Sequence, residues 1–384
     1  MRQTIRLGRI HGIPVGVHWS VLLILAFLID GLAVTLLPTA VPGYPVAAYW
    51  LTAAWIAVLL LIALTGHELA HALTAQRFGI GVDSITLWAL GGVSVIDDTR
   101  RRPRTEMLVA LAGPAFSLAL AAMFAAMSFP ARLLSSDLLP FGFAWLAGAN
   151  VVLALFNSLP GAPLDGGRIL AAALWWLRGD RVAAQRIAAW SGMVLGLALS
   201  GLGLILLLGS ATTTGLWFVL LGWYLVVAAR SEQNGTELAA LLHDVRAGDA
   251  MSAPAVCGYT GHTVAEFAAG TARFCPHRAY PVIDIDGLLA GMVTTAGLAA
   301  VPAELRSTTR LTRIMIPAAR LACAEPDAPV LDVISDMNNR LRTLVIVDQG
   351  RPCGVLTAGD IARVAGVTRL GVLPAERRSA DPAA

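Results

Sequence analysis

Long apolar runs fill the first 230 residues of the chain. Most of these runs reach the roughly 20 residues that an α-helix needs to cross the hydrocarbon core of a bilayer. The polar or glycine-containing stretches between them are typical of turns and loops. The pattern therefore predicts six membrane-spanning helices, at residues 15–37, 47–77, 107–129, 143–159, 187–208 and 216–229.

Beyond residue 230 the pattern changes to short apolar runs, with charges and prolines between them. Such runs are typical of the strands and helices of a soluble α/β domain. Over the whole chain 57% of residues are hydrophobic and 14% are charged, whereas about a quarter of a soluble domain is charged. We expect a membrane domain at 1–230, a linker at 231–243, a soluble part at 244–370, and a disordered tail at 371–384.

The placement of arginine predicts the orientation of the spans. Arginines cluster before the first span, between the second and third, between the fourth and fifth, and after the sixth, whereas the opposite side receives only Arg132. Because basic residues concentrate in cytoplasmic loops, we expect a multi-pass protein of the cell membrane with both termini in the cytoplasm. The net charge of +3 and the lack of a basic stripe with aromatic residues argue against nucleic acid as a partner.

Residues 80–96 alternate, are rich in β-branched side chains, and contain the pair Gly91–Gly92. This pattern predicts a β-hairpin. The stretch is too apolar for an ordinary cytoplasmic loop, and non-helical backbone at membrane depth must be covered by protein or line a wet cavity. We therefore expect a membrane-associated hairpin. Its edge could take up a peptide as an added strand, or the hairpin could only pack, and the sequence favours neither.

Three ionisable residues interrupt the second predicted span within five positions, namely His67, Glu68 and His71. On a helix, positions i and i+4 lie one turn apart on the same face. This HExxH pattern is typical of metalloproteases, in which two imidazoles hold zinc and the glutamate takes a proton from the water that the metal activates. Ionisable groups inside a membrane are costly, which favours a functional site. The alternative is a polar cluster that only holds helices together.

A catalytic zinc site needs a third protein ligand and an open position. Two prolines and three glycines break the chain after the fourth span, and Asp165 follows this break near the predicted cytoplasmic face. Asp165 is therefore the candidate third ligand, although it could also cap the next helix. Before the break, Asn157 could donate a hydrogen bond to an oxyanion or to another helix. The rival candidates for the third ligand are Asp83, Asp97, Asp98 and His18.

The soluble part contains an internal repeat with a period of about 64 residues. Residues 245–251 align with 311–315, residues 280–284 with 343–348, and residues 291–294 with 354–357. Each copy is predicted to form a strand, a helix, two strands and a helix. We place the first copy at 244–302 and the second at 303–370.

These stretches together resemble the site-2 protease family of intramembrane zinc metalloproteases, in its bacterial branch with C-terminal tandem cystathionine-β-synthase-type (CBS) domains. The resemblance is carried by GHELAHALTAQRFGI, by the Gly91–Gly92 hairpin, and by NSLPGAPLDGGRIL. It implies a polytopic α-helical membrane protein with a zinc site between spans 2 and 4, plus a cytosolic α/β CBS pair. It also implies that zinc is bound by His67, His71 and Asp165.

The same resemblance implies that Glu68 is catalytic and that Asn157 contacts the substrate. CBS pairs often bind adenosine-containing ligands between their repeats, and the Thr/Ser-x-x-Asp pattern that contacts the ribose is intact at Thr357 and Asp360. In the first copy Gly297 stands in place of the aspartate, so one cleft at most has the pattern. The alternative is a CBS pair that serves only as a docking platform or forms a homodimer.

The leading hypothesis is therefore a zinc-dependent endopeptidase that cleaves single-pass membrane proteins, such as anti-sigma factors, under control of a nucleotide at the CBS pair. The alternative is a transporter or channel gated by the CBS pair. That alternative predicts polar residues in several spans and repeat symmetry in the membrane half. The polar residues concentrate instead at the HExxH turn and at the break before Asp165.

Overall fold

A computed structural model describes residues 5–88, 91–96, 102–133, 136–210, 213–275, 277–337 and 343–370. The chain divides into two units, Met1–Thr236 and Glu237–Ala384, and each is described by itself. The predicted tail and the rival ligands Asp97 and Asp98 lie outside the described residues.

Helices dominate the first unit because its apolar runs are rich in alanine and leucine, which are strong helix formers. The helices are α1 (Ser20–Asp30), α2 (Leu37–Ala40), α3 (Val46–Arg77), α4 (Pro103–Ala131), α5 (Leu138–Asn157), α6 (Asp165–Arg178), α7 (Arg181–Ser210) and α8 (Thr213–Leu242). A π-helical segment, Gly31–Leu36, joins α1 to α2. Among the described residues six helical stretches are long and apolar enough to cross a membrane, which confirms the six predicted spans. They are Ser20–Ala40, α3, α4, α5, α7 and α8.

The remaining helix of this unit, α6, has 14 residues and is too short to span. It ends at Gly179, whose φ of 74° allows the reversal into α7. The residues predicted as a linker, 231–243, are helical through Leu242 as the last part of α8.

A four-stranded sheet accompanies the helices, with strands β1 (Ile5–Ile10), β2 (Ile13–Val17), β3 (Val82–Trp88) and β4 (Gly91–Ile96) in that order. The predicted hairpin is present as β3 and β4, which pair antiparallel with Leu87 opposite Gly92 and Trp88 opposite Gly91. The strand β4 lies at one edge of this sheet.

The first predicted span begins too early. Residues 15–17 belong to β2, which pairs in parallel with β3, and the first helix begins only at Ser20. Valine at 15 and 17 suits a strand as well as an apolar helix, and the ladder to β3 satisfies the backbone groups of this segment. The N-terminal hairpin of β1 and β2 is a further element that the prediction lacked.

The sheet packs against α3 along the stretch that carries the HExxH residues. Ile13, Val15 and Ile85 contact Ala72 and Leu69 of α3. The next apolar positions of the same strands, Val17 and Leu87, pack with Leu61 and Leu64. The inward-facing side chains of the sheet therefore cover one flank of α3 for about three turns.

Glycines let several helices of this unit approach closely. A Cβ at Gly66 of α3 would overlap the ring of Phe116 on α4. Between α7 and α8, a Cβ at Gly222 would lie 2.6 Å from the backbone nitrogen of Ser200 and closer still to the carbonyl oxygen of Gly196. Small residues at such positions are typical of membrane helix pairs, which associate through close packing.

The second unit consists of two repeats, each with its own sheet. The first sheet has the strands β5 (Gly258–Tyr259), β6 (Ala279–Ile283), β7 (Leu289–Thr294) and β8 (Ile316–Pro317) in that order. The second has β9 (Cys323–Ala324), β10 (Thr343–Asp348) and β11 (Arg351–Thr357), in the order β11-β10-β9. The helices are α9 (Ala247–Ala250), α10 (Val264–Phe267), α11 (Thr295–Ala299), α12 (Val330–Asp336) and α13 (Ala358–Arg369). Each repeat follows the predicted order of a strand, a helix, two strands and a helix.

Each repeat also receives a segment from outside its own sequence copy. The strand β8, from the second copy, pairs with β7, where Ile316 lies opposite Met292. In return, Ser252 from the first copy pairs with Val355 of β11. This exchange holds the two repeats together through backbone hydrogen bonds.

Substitution of Gly222 by alanine tests the close approach of α7 and α8. We expect Gly222→Ala to lower the free energy of unfolding by about 1–3 kcal/mol, because the added methyl group has no space. Gly201→Ala on α7 is the control, since a Cβ there meets nothing within 4 Å. Denaturant titration in detergent micelles measures both variants, and equal values would contradict the prediction.

Candidate metal centre

The two histidines of the HExxH pattern lie on one face of α3. Both are buried, with 2% of His67 and 4% of His71 exposed. Their ring centroids are 4.9 Å apart in an edge-to-face arrangement, and the two Nε2 atoms are separated by 3.3 Å. Their spacing of four residues on a continuous helix produces this arrangement.

Asp165 reaches the same point from a different part of the chain. It is the first residue of α6, and its Oδ2 atom lies 3.2 Å from Nε2 of His67 and 3.2 Å from Nε2 of His71. The segment 158–164 turns the chain back after α5 and so brings the carboxylate to α3. Within the described residues this is the one group of at least three histidine, cysteine, aspartate or glutamate side chains with the spacing of a metal site.

The three donor atoms have the separation that zinc requires. Zinc binds histidine nitrogen and carboxylate oxygen at about 2.0–2.2 Å, so two ligands at tetrahedral positions lie about 3.3–3.5 Å apart. The observed separations of 3.2, 3.2 and 3.3 Å lie at or just below the lower end of this range. Three protein ligands also leave the fourth tetrahedral position open, as in catalytic zinc sites.

Two groups on α4 orient the imidazoles. The Nδ1 atom of His71 lies 2.7 Å from the carbonyl oxygen of Val109, which can only accept a hydrogen bond. In the neutral ring the proton is therefore on Nδ1, and Nε2 keeps its lone pair for a metal. The Nδ1 atom of His67 lies 2.9 Å from Oγ of the fully buried Ser117, which can hold that ring in the same tautomer.

A glycine on α4 leaves room for the imidazoles. A Cβ at Gly113 would lie 2.6 Å from Nε2 of His67 and closer still to Nε2 of His71. Any larger residue at this position would occupy the space in which the donor atoms meet. The donor set and the space around it therefore fit a zinc ion.

The electrostatics of the site favour an ionised carboxylate. Burial alone would raise the pKa of Asp165, but the two imidazoles beside its carboxylate and the charge of Arg168 outweigh that effect. The pKa of Asp165 is therefore held well below its usual value, and the carboxylate carries a negative charge at neutral pH.

The other predicted site residues are placed as follows. Glu68 is half-buried next to His67 on α3. Asn157 is the half-buried last residue of α5, and no hydrogen bond joins it to the three ligand candidates in the described part of the chain. His18 bonds Ser20 through its Nδ1 atom and lies outside the metal cluster. Asp83 belongs to β3, and Gly91 and Gly92 begin β4.

Three groups of the site were not predicted from the sequence, namely Ser117, Gly113 and the carbonyl group of Val109. A serine and a glycine inside an otherwise apolar span were visible signals, because polar and small residues in membrane helices often face another helix. The carbonyl group carries no signal in the sequence, since every residue has one.

A cavity of about 740 Å³ lies in the second unit and contains the predicted nucleotide residues in its lining. Thr357 caps α13 together with Asp360, and Oδ1 of Asp360 accepts hydrogen bonds from Ser252 at 2.7 Å and from Arg363 at 2.8 Å. Burial raises the pKa of Asp360, but the bonds from Ser252, Thr357 and Arg363 outweigh it and keep the pKa below its usual value. At the equivalent position of the first repeat, the hydroxyl group of Thr294 accepts a hydrogen bond from the backbone nitrogen of Gly297. Gly297 offers no carboxylate there.

Comparison with known proteins agrees with both units. A model of peptidase family M50 matches residues 55–135 and 131–200, and a CBS domain model matches residues 312–366. The chain is 40% identical over 374 residues to the zinc metalloprotease Rip3 of Mycobacterium tuberculosis. This alignment covers 96% of the present chain and 95% of Rip3.

A second relative, the zinc metalloprotease sll0528 of Synechocystis sp., is 28% identical over 94% of this chain and 96% of its own length. Among solved structures, the site-2 protease from Methanocaldococcus jannaschii covers 60% of this chain and 94% of its own, with 26% identity and a TM-score of 0.43. From the 40% identity over nearly the full length and the M50 match, it follows that this chain belongs to peptidase family M50, the site-2 protease family of zinc metalloproteases, and carries a CBS domain.

Proposed function

We propose that this protein is an intramembrane endopeptidase whose zinc ion is held by His67, His71 and Asp165. The main support is that one ligand atom of each residue lies 3.2–3.3 Å from the other two, close to the separation expected of tetrahedral zinc ligands. Membership in a family of zinc metalloproteases supports the choice of metal.

The chemistry divides between the metal and the side chains. Bound zinc would polarise the scissile carbonyl and lower the pKa of the attacking water. Glu68 accepts the proton from that water and returns it to the leaving amine. Its carboxylate is available for this role, since within the described residues it makes no hydrogen bond or ion pair. Asn157 is proposed to donate a hydrogen bond to the oxyanion or to the substrate backbone.

The substrates are proposed to be single-pass membrane proteins, such as anti-sigma factors. A helical carbonyl is occupied by its own hydrogen-bond ladder, so the substrate must unwind before attack. The edge strand β4, which begins at Gly91–Gly92, could hold the unwound segment as an added strand.

The protein is proposed to lie in the cell membrane with both termini in the cytoplasm. The distribution of arginine supports this orientation. His71 then lies six residues from Arg77 on α3, or about 9 Å of helix from the predicted cytoplasmic surface.

The CBS pair is proposed to bind an adenine nucleotide in the cavity beside Thr357 and Asp360, and to form a homodimer. The size of the cavity, about 740 Å³, and its mixed lining of apolar and cationic side chains support a phosphorylated ligand. Arg278 and Arg363 supply the positive charge of that lining. Membership in a peptidase family leaves the transporter or channel alternative without support.

Substitution of Glu68 by glutamine tests the general base. We expect Glu68→Gln to slow cleavage by at least about 100-fold while zinc content stays unchanged, because the amide cannot accept the proton. Comparison of the membrane proteomes of cells with wild-type or variant protein would show uncleaved single-pass proteins accumulating in the variant. Glu237→Gln, which removes a carboxylate of the second unit paired with Arg369, is the control. The same fragments in cells with wild-type and with Glu68→Gln protein would rule out the assignment.

Substitution of Gly113 by alanine tests the metal site without changing a ligand. The added methyl group would displace the imidazoles, so we expect zinc affinity to fall at least about tenfold. Gly148→Ala on α5 is a matched control, because a Cβ there has open space. Zinc titration of the metal-free protein against a chelator measures both variants, and equal affinities would show that the donors meet elsewhere.

Substitution of Asp360 by asparagine tests the nucleotide site. We expect AMP and ATP to bind at least about tenfold more weakly to Asp360→Asn, because a ribose hydroxyl group bonds more strongly to a charged carboxylate than to a neutral amide oxygen. The exposed Asp348, at the end of β10, provides the control variant Asp348→Asn. Calorimetric titration of the full-length protein measures the affinities, and unchanged binding by Asp360→Asn would exclude this cleft.

A further inference from the structure

We infer that α7 is the element that positions Asp165, and that Ser191 and Gly192 are its positioning residues. The inference rests on the proposed zinc site. It assigns a role to a span that supplies no ligand, since the three candidate ligands come from α3 and α6.

The segment that carries Asp165 has little regular structure of its own. Residues 158–164 run between α5 and α6, and two of their backbone hydrogen bonds are short local turns, from Gly161 to Leu159 and from Leu164 to Gly161. Without an external support, a ligand that follows such a segment would be poorly fixed. Catalytic groups must be held to within about 0.5 Å of their working positions.

The external support comes from one face of α7. The backbone nitrogen of Ala162 donates a hydrogen bond of 3.0 Å to the carbonyl oxygen of Ala188. The hydroxyl group of Ser191 donates to the carbonyl oxygen of Pro160. Ala188, Ser191 and the following residue lie at i, i+3 and i+4, so they share one face of the helix.

Gly192 brings this face into direct contact with the segment. A Cβ at Gly192 would lie 2.9 Å from the carbonyl carbon of Ala162 and closer still to its oxygen. Conversely, a Cβ at Gly161 would lie 2.7 Å from the Cα of Gly192. The backbone of the segment therefore rests on the backbone of α7, with no side chain between them.

The segment is held from its other side by the start of α6. A Cβ at Gly167 would lie 2.7 Å from the Cα of Ala162, and one at Gly166 would overlap the carbonyl groups of Ser158 and Leu159. Because the segment fills the space between α6 and α7, a methyl group added on α7 must push it toward α6. Asp165, the first residue of α6, would then move relative to the two imidazoles.

The test measures zinc binding to the full-length protein, in its metal-free form, by competition with a chelator. For Gly192→Ala we expect a zinc affinity ten- to a hundred-fold weaker than wild type, the range seen when groups that orient metal ligands are changed. Ser191→Ala removes one hydrogen bond without adding bulk, so it should weaken zinc binding in the same direction by a smaller factor. This milder variant covers the case in which Gly192→Ala does not fold.

Two glycines of the same helix provide controls. A Cβ at Gly201 meets nothing within 4 Å, whereas a Cβ at Gly203 would lie 2.6 Å from the backbone nitrogen of Val219 on α8. Gly201→Ala tests the loss of glycine alone, and Gly203→Ala tests crowding of α7 at a place 11 residues, or about 16 Å of helix, from Gly192. We expect both to bind zinc as wild type does. An equal loss in Gly203→Ala would show that crowding anywhere on α7 weakens the site, and would overturn the inference.

Cobalt substitution distinguishes a displaced ligand from general damage. The visible absorption of Co²⁺ in the site reports its ligand set, so Gly192→Ala should change the spectrum of the bound cobalt, whereas Gly201→Ala should keep the wild-type spectrum. Wild-type affinity and spectrum in both Gly192→Ala and Ser191→Ala would overturn the inference. If both α7 variants behave as wild type but Asp165→Ala loses zinc, the proposed metal site is supported and only the role of α7 is wrong. If Asp165→Ala binds zinc as wild type does, the proposed site falls and the inference with it.

Discussion

The first unit depends on the burial of three polar donors inside an apolar helical bundle. Two imidazoles and a carboxylate are costly in such surroundings unless each has a partner. Ser117 and the carbonyl group of Val109 satisfy the outer nitrogens of His67 and His71. The Nε2 atoms of both imidazoles face the same carboxylate oxygen of Asp165. A metal ion at this point would compensate all three donors at once, which is why the donor set is typical of a binding site rather than of a structural cluster.

Close backbone approach is what makes this arrangement possible. Gly66 and Gly113 let α4 lie against the histidine-bearing face of α3. Gly167 and Gly192 hold the segment before Asp165 between α6 and α7. A close-packed interior transmits small displacements, so a methyl group at any of these positions would displace the ligand atoms of His67, His71 or Asp165. These four glycines therefore help to form the metal site, although none of them offers a ligand.

The features that the sequence predicted well are those with local signals. The spans follow from apolar runs, the spacing of His67 and His71 from the helical period, and the hairpin at β3 and β4 from alternation. The pairing of β2 with β3 joins residues 15–17 to residues 85–87, and no local pattern could reveal it. The apolar run was for that reason assigned to the first span.

The same limit applies to the candidate site. Asp165 could be proposed because one carboxylate follows the break near the predicted cytoplasmic face, but its rival His18 could be set aside only through the cluster geometry. The roles of Ser117 and Gly192 depend on which helices become neighbours. Such contacts join residues about 50 positions apart for His67 and Ser117, and periodicity within one element carries no information about them.

The second unit presents a different constraint, because Asp360 is already saturated. Its two oxygens accept four hydrogen bonds, from Ser252, from Arg363, and from the nitrogen and hydroxyl group of Thr357. A carboxylate has about four acceptor positions, so a ribose hydroxyl group could bind Asp360 only by replacing one of these donors. Thr357 is fixed by its role as the cap of α13, which leaves Ser252 and Arg363. Ser252 pairs with Val355 in the exchange between the two repeats. Arg363 also donates to the carbonyl oxygen of Ala250 in the first copy. Replacement of either donor by a nucleotide would therefore act on a residue that joins the repeats, which is the property that a regulatory site needs.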